Sequence, residues 1–234
     1  MRVLVIENNA GTTLGQIETA LVERGAEITI CKAFEGEALP KGEFDGLVVL
    51  GGVQNALADE GSPYFPELLE RMRDYARSDR AVLGVCLGSQ LLARAFGAEN
   101  LIGATHEFGW TEVALTQDGA VDPMLGGLDP VFTTFQWHDD TFVLPRGATR
   151  LAGNDLTHNQ AFRIGRAAYG IQFHFEADRK LIGQWNTINA DYLAEREPDW
   201  PQRFAAEQAT RGADADDNGL KIARAWAALI AIHP

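Results

Sequence analysis

The chain has 234 residues, 46% of them hydrophobic and 23% charged, which is ordinary globular usage and excludes a disordered or fibrous protein. Lys and Arg total 20 against 33 Asp and Glu, and the net charge of −13 has the wrong sign for a protein that neutralises the phosphates of nucleic acid or an anionic membrane. The opening MRVLVIENN carries Glu7, no apolar stretch approaches the roughly 18 residues of a membrane span, and two cysteines cannot build a disulfide scaffold, so a cytoplasmic protein with reduced thiols is expected.

Arg2 to Ile6 is a short β-branched run that reads as a buried strand. Thr13-Leu14-Gly15-Gln16 then offers a capping box for a helix with Leu14, Ile17 and Leu21 on one face, stopping at Gly25. Glu27 to Cys31 is a second strand, and Leu47 to Leu50 a third that ends in Gly51-Gly52. Ser62-Pro63 predicts the start of a helix burying Phe65, Leu68, Leu69, Met72 and Tyr75. Ala81 to Val85 is a fourth strand, followed by a helix from Gly88 to Phe96. Such alternation predicts a flavodoxin-like, doubly wound, mostly parallel α/β sheet with helices on both faces and a ligand site at the strand C-terminal ends.

The second half changes character. Trp110 to Leu115, Val131 to Trp137, Ala161 to Ile164 and Ala168 to Phe175 read as additional short strands, some antiparallel, within one domain spanning residues 1–234. From about residue 180 the pattern is that of a C-terminal helical extension, broken at Pro198 and Pro201. Asp214-Ala215-Asp216-Asp217 is expected to be a solvated loop that caps a closing helix whose apolar stripe is Leu220, Ala223, Trp226, Ala227 and Ile230.

The chemistry concentrates in three places. In Gly84-Val85-Cys86-Leu87-Gly88 a buried strand runs into a cysteine and at once into a helix, the pattern of a nucleophile elbow. The tight turn would push Cys86 out over the sheet, and the helix N-terminus favours a thiolate. A free cysteine can also be a plain buried hydrophobe, the reading given to Cys31, but packing of a thiol does not account for the pattern Gly-x-Cys-x-Gly at a strand-to-helix junction. In Gln172-Phe173-His174-Phe175-Glu176, period-two geometry puts His174 and Glu176 on one face, a base and the carboxylate that orients it. Taken alone, this pair fits a surface ion pair or a metal ligand as well. Gly51-Gly52 would lie on the same rim as Cys86, where backbone N–H groups together with that of Leu87 can form an oxyanion hole; a simple turn is the alternative.

In this order the three segments resemble the class I glutamine amidotransferases, and GVCLGSQLLARAFGA is similar to that family's nucleophile helix along its whole length. The resemblance implies Cys86 as nucleophile, His174 as base, Glu176 as third triad member, Gly52 and Leu87 as oxyanion donors and Gln90 as a substrate contact. His106-Glu107-Phe108-Gly109-Trp110 and Trp137-His138-Asp139-Asp140 are similar to segments of free-standing members close to the amidotransferase domain of GMP synthase, in which the region around His138 lines the glutamine pocket. The likeness covers roughly residues 1 to 178; Val53 and Phe175 stand where many members carry Pro.

The implied activity is hydrolysis of the glutamine side-chain amide through a cysteine thioester, with ammonia supplied to a separate synthase subunit. A γ-glutamyl hydrolase without an acceptor is the alternative, and a non-catalytic binding module comes third. No cofactor is expected, since nothing resembles GxGxxG or a P-loop, and no metal, since His106 and His138-Asp139-Asp140 lack a closed ligand set. The opening segment also resembles a response-regulator receiver, but Leu50-Gly51-Gly52 stands where that fold needs a phosphoacceptor Asp. Trp110 and Trp137 are expected to wall the pocket, with Gly52 and Gln54 at its mouth.

Overall fold

A computed structural model of the chain describes residues 1–230. In chain order the elements are β1 (Arg2–Glu7), α1 (Gln16–Glu23), β2 (Glu27–Lys32), β3 (Gly46–Val49), α2 (Phe65–Arg77), β4 (Ala81–Val85), α3 (Leu87–Ala95), β5 (Asn100–Leu101) and β6 (Glu107–Leu115). There follow α4 (Gln117–Ala120), β7 (Val131–His138), β8 (Thr141–Phe142), β9 (Thr149–Gly153), β10 (Ala161–Ile164), β11 (Ala168–Ile171), α5 (Arg179–Ile188), α6 (Ala190–Arg196) and α7 (Trp200–Leu229).

Nine strands form one sheet in the order β2-β1-β3-β4-β11-β10-β9-β6-β7. The pairs from β2 through β11 are parallel, and those from β11 through β7 antiparallel. Parallel strands buried on both faces should be apolar at every position, and they are: in β1, Val3 and Val5 pack into one core while Leu4 and Ile6 pack into the other. The first core takes its helical side from α1 and α7, the second from α2 and α3. A third, aromatic cluster joins β6 and β7 to α5, α6 and α7 through Phe108, Trp110, Phe135, Trp185 and Trp200. The predicted doubly wound sheet with an antiparallel addition is present.

Several local expectations are corrected. The Thr13 capping box does not form: α1 begins after Gly15 with no side-chain cap, and the Gln16 N–H donates to the carbonyl of Glu176 at 2.9 Å, so a distant backbone group satisfies the helix end. The second helix begins at Phe65, with Pro66 in its first turn in place of Pro63. Strand β11 ends at Ile171, short of Phe175, because the chain then leaves its ladder and the His174 N–H turns to Phe135 O on β7 (2.8 Å). Strand β9 was not foreseen.

The acidic run 214–217 is no loop. It lies within the 30-residue α7, and Asp216 accepts from both the backbone N–H (3.0 Å) and the side chain (2.6 Å) of Arg179 at the start of α5. Pro198 does separate two helices, but Pro201 sits in the first turn of α7, where a missing N–H costs nothing. Gly219, in mid-helix, is where α7 crosses the chain: a Cβ there would stand 2.1 Å from Phe175 O, so only a glycine allows the approach. Among the described residues, no helix is long and apolar enough to cross a membrane.

Candidate functional site

Cys86 occupies the single-residue step between β4 and α3, with a φ of +51° that a side-chain-bearing residue rarely adopts. Its N–H donates to Ile171 O (2.8 Å), while its carbonyl accepts from the N–H (2.9 Å) and hydroxyl (2.7 Å) of Ser89. Space is as tight as the turn: a Cβ on Gly84 would meet Gly88 O at 2.2 Å, and one on Gly88 would meet Val49 O at 2.0 Å. The glycines on either side of the cysteine thus let strand, turn and helix touch. The Cys86 sulfur lies 3.8 Å from the carbonyl of Trp137.

His174 comes to the sulfur from the segment that follows β11, the strand beside β4 in the sheet. Its Nδ1 is 2.7 Å from Glu176 Oε1, and the edge of Trp185 packs on the ring at a centroid distance of 5.1 Å. Burial alone would push the imidazole pKa down, but the Glu176 carboxylate and the Cys86 sulfur outweigh it and carry His174 up to about 10. The raised value favours the imidazolium, with Nδ1 directed at the Glu176 carboxylate. Gly51 leaves room for this contact: a Cβ there would stand 3.2 Å from His174 Cε1 and 3.5 Å from Cys86 Cβ.

These groups open into a cleft of about 410 Å³ at the C-terminal ends of the parallel strands. Gly52, Cys86, Leu87, Gln90, Trp137, His138 and His174 all line it, so the sequence-named residues gather in one place, with Glu176 buried behind His174. Leu87 is the first residue of α3, and its N–H belongs to the end of the helix that has no intrahelical partner. Gln90 donates to Asp140 O (3.3 Å) and Gln172 Oε1 (3.2 Å). His138 is fixed from both sides, Nδ1 at 2.9 Å from Asp140 O and Nε2 at 3.2 Å from Glu107 Oε2 without hydrogen-bond alignment. Glu107 is buried, which would raise its pKa, yet contacts with His138, Thr157 and Asn154 hold it below the usual carboxylate range.

Trp110 corrects one expectation. It is 1% exposed and packed among Phe135, Trp200 and Phe204, behind the wall instead of on it. The aromatic wall is made by Trp137 with Trp185 of α5 and Tyr192 of α6, at centroid distances of 6.0 and 6.1 Å. Trp185 and Tyr192 were missed as site residues because the extension reads only as amphipathic helix; Thr12, in the loop after β1, carries no local signal, and its hydroxyl donates to Gly51 O (3.3 Å). Among the described residues, no group of three or more His, Cys, Asp or Glu is arranged to hold a metal ion.

The chain resembles known proteins in sequence and in fold. Residues 4–188 match the family model described as glutamine amidotransferase class-I. YfeJ of Salmonella typhimurium, a glutamine amidotransferase-like protein, is 33% identical over 75% of this chain and 76% of its own length. One of the subunits of glutamine-hydrolyzing GMP synthase from Archaeoglobus fulgidus is 29% identical over 71% of this chain and 80% of its own. The crystal structure of a glutamine amidotransferase from Thermotoga maritima superposes with a TM-score of 0.86 at 27% identity, covering 98% of both chains.

Proposed function

The chain belongs to the class-I glutamine amidotransferase family, and we propose that it hydrolyses the side-chain amide of glutamine through a thioester on Cys86 and passes the ammonia to a separate synthase subunit. The observation that carries this reading is the buried relay of Cys86, His174 and Glu176 at the floor of the cleft. The Cys86 sulfur attacks the amide carbon, and the carbonyl π electrons move onto oxygen. The backbone N–H groups of Leu87 and Gly52 meet that oxyanion. His174 gives its proton to the amide nitrogen, the C–N bond breaks, and ammonia leaves the acyl-enzyme. His174, now neutral, takes a proton from water. The resulting hydroxide attacks the thioester, and glutamate departs as the sulfur and the imidazolium are restored. Throughout, Glu176 holds the ring by Nδ1.

The ammonia-supplying role draws on relatives named as separate subunits of a glutamine-hydrolyzing synthase and on the cleft mouth. Val53, Ile102, Ile188 and Tyr192 reach that mouth from different segments and are exposed, Val53 to 80%. Apolar side chains ringing an opening suit a partner that covers it.

The test is steady-state glutaminase activity of Cys86→Ala, with Cys31→Ala as control. Loss of turnover in the first, by about four orders of magnitude or more, and full activity in the second are expected. Retained turnover without Cys86 would sink the mechanism. Fast unassisted cleavage of a γ-glutamyl amide, with glutamine a poor substrate, would transfer the assignment to a γ-glutamyl hydrolase.

A further inference from the structure

His106 lies outside the cleft and plays no part in the chemistry above, yet both of its ring nitrogens end on carboxylates. Nδ1 is 2.5 Å from Asp139 Oδ1 and Nε2 is 2.6 Å from Glu197 Oε1. An ionised carboxylate only accepts, so the ring satisfies both contacts only when each nitrogen carries a proton. The three residues come from three segments that frame the cleft: the approach to β6, the turn after β7, and the junction of α6 with α7. Asp139 itself lines the cleft, two residues beyond the carbonyl that faces the Cys86 sulfur. From α6, Arg196 adds a bond to Asp139 Oδ2 (3.2 Å), and its guanidinium lies 6.0 Å over the ring of Tyr192, which forms the outer wall.

We propose that His106 is a positioning residue: in its doubly protonated form it clasps α6 to the 137–140 segment and so holds the aromatic wall in the arrangement that binds substrate. An isolated ion pair at this exposure contributes little to stability. A pair that bridges separate segments across an opening instead decides where the wall stands.

The surrounding charges act in both directions: the Asp139 and Glu197 carboxylates favour the protonated form, while Arg196 on Asp139 opposes it. From α7, Arg203 approaches Glu197 at 3.5 Å and is itself shared with Asp199 and Glu207. Glu107, adjacent in sequence, is engaged by His138, Asn154 and Gln160. The Asp139 hydrogen bond raises the His106 pKa most, partial burial opposes it, and Glu197 adds to the rise. The sign follows: with the folded value above the ordinary 6.5, the clasp is complete below pH 6.5 and is lost as pH climbs through the raised value.

The experiment follows hydrogen exchange of the α6 amides, corrected for intrinsic rates, from pH 6 to 9.5 in the wild type, His106→Gln, His106→Arg and Glu197→Gln, alongside kcat and KM for glutamine. In the wild type, α6 protection should fall and KM rise about fivefold or more across that range. The neutral variant His106→Gln should show the high-pH behaviour at every pH, and Glu197→Gln should weaken protection even at pH 6. His106→Arg, always charged and rich in donors, should flatten the profile. Wild-type protection in His106→Gln at pH 6, or an unaltered pH profile in His106→Arg, would overturn the proposal. The turnover readout rests on the glutaminase reading; the exchange readout does not, so an inactive protein with a pH-dependent α6 would refute that reading and leave the clasp standing.

Discussion

On one side of the cleft, Cys86, Leu87 and the Gly51-Gly52 loop hang from parallel strands whose both faces are buried, and backbone contacts of van der Waals tightness fix them. On the other side, Trp137, Trp185, Tyr192 and Asp139 stand on an antiparallel edge and on surface helices, fixed by ring contacts and by partly exposed ion pairs. The first side has almost no freedom to change shape, as bond-making at a sulfur requires. The second is held by side-chain contacts more than by backbone packing. Under the function proposed above, reaction geometry falls to the rigid side and recognition to the adjustable one.

The largest test of this division lies at the proposed triad. His174→Ala should cost as much turnover as loss of Cys86, whereas Glu176→Ala should retain a measurable remainder, about ten- to a hundredfold above the His174 variant, because an orienting group contributes less than the base. Steady-state glutaminase assays decide it, and wild-type rates in both variants would reduce the pair to a structural ion pair.

A smaller effect is expected from glycine substitutions on the two sides. Gly88→Ala drives a methyl against Val49 O and should destabilise the fold by about 3 kcal/mol in urea unfolding. Gly219→Ala should gain about 1 kcal/mol of helix propensity, but its methyl would meet Phe175 O at 2.1 Å and Gln16 Nε2 at 2.5 Å, so the clash wins. Its distinguishing mark should be a fall in kcat of about tenfold or more, through displacement of the 174–176 segment. The smallest effect belongs to the outer wall: Tyr192→Ala, half exposed, should raise KM about two- to tenfold and leave kcat unchanged. A kcat loss there would breach the division of labour.

What could be read from residues alone follows the same line. The parallel strands and the elbow announce themselves because β-branched runs, flanking glycines and a cysteine at a strand end are local signals. His174 and Glu176 do meet, but not by strand alternation: β11 ends at Ile171, and it is the turn after it that brings His174 Nδ1 to 2.7 Å from Glu176 Oε1. The wall was not legible: Trp185 and Tyr192 reach the cleft through tertiary packing that leaves no periodic mark. The acidic run 214–217 misled because Gly, Asp and Asn are weak helix formers, and what holds α7 together there is Arg179, more than thirty residues away in sequence. Trp110 misled by its place in a motif segment: it shares a sheet face with Phe108 and Trp137, but stands two residues farther along β6 from the cleft, behind Phe135 and Trp200.

The crossing at Gly219 also bears on how the protein is made. Helix α7 is synthesised after every residue of the cleft, yet it is the element pressed against the Phe175 carbonyl, between His174 and Glu176, while the side chain of Gln16 donates to that same oxygen from the first helix of the chain (3.3 Å). A nascent chain that has emerged as far as α5 already contains the sulfur and the imidazole, but not the helix that packs against the carbonyl between His174 and Glu176. Vectorial synthesis therefore leaves the 174–176 segment without its α7 neighbour until that helix is made, and under the mechanism proposed above the three groups would meet in their final packing only then.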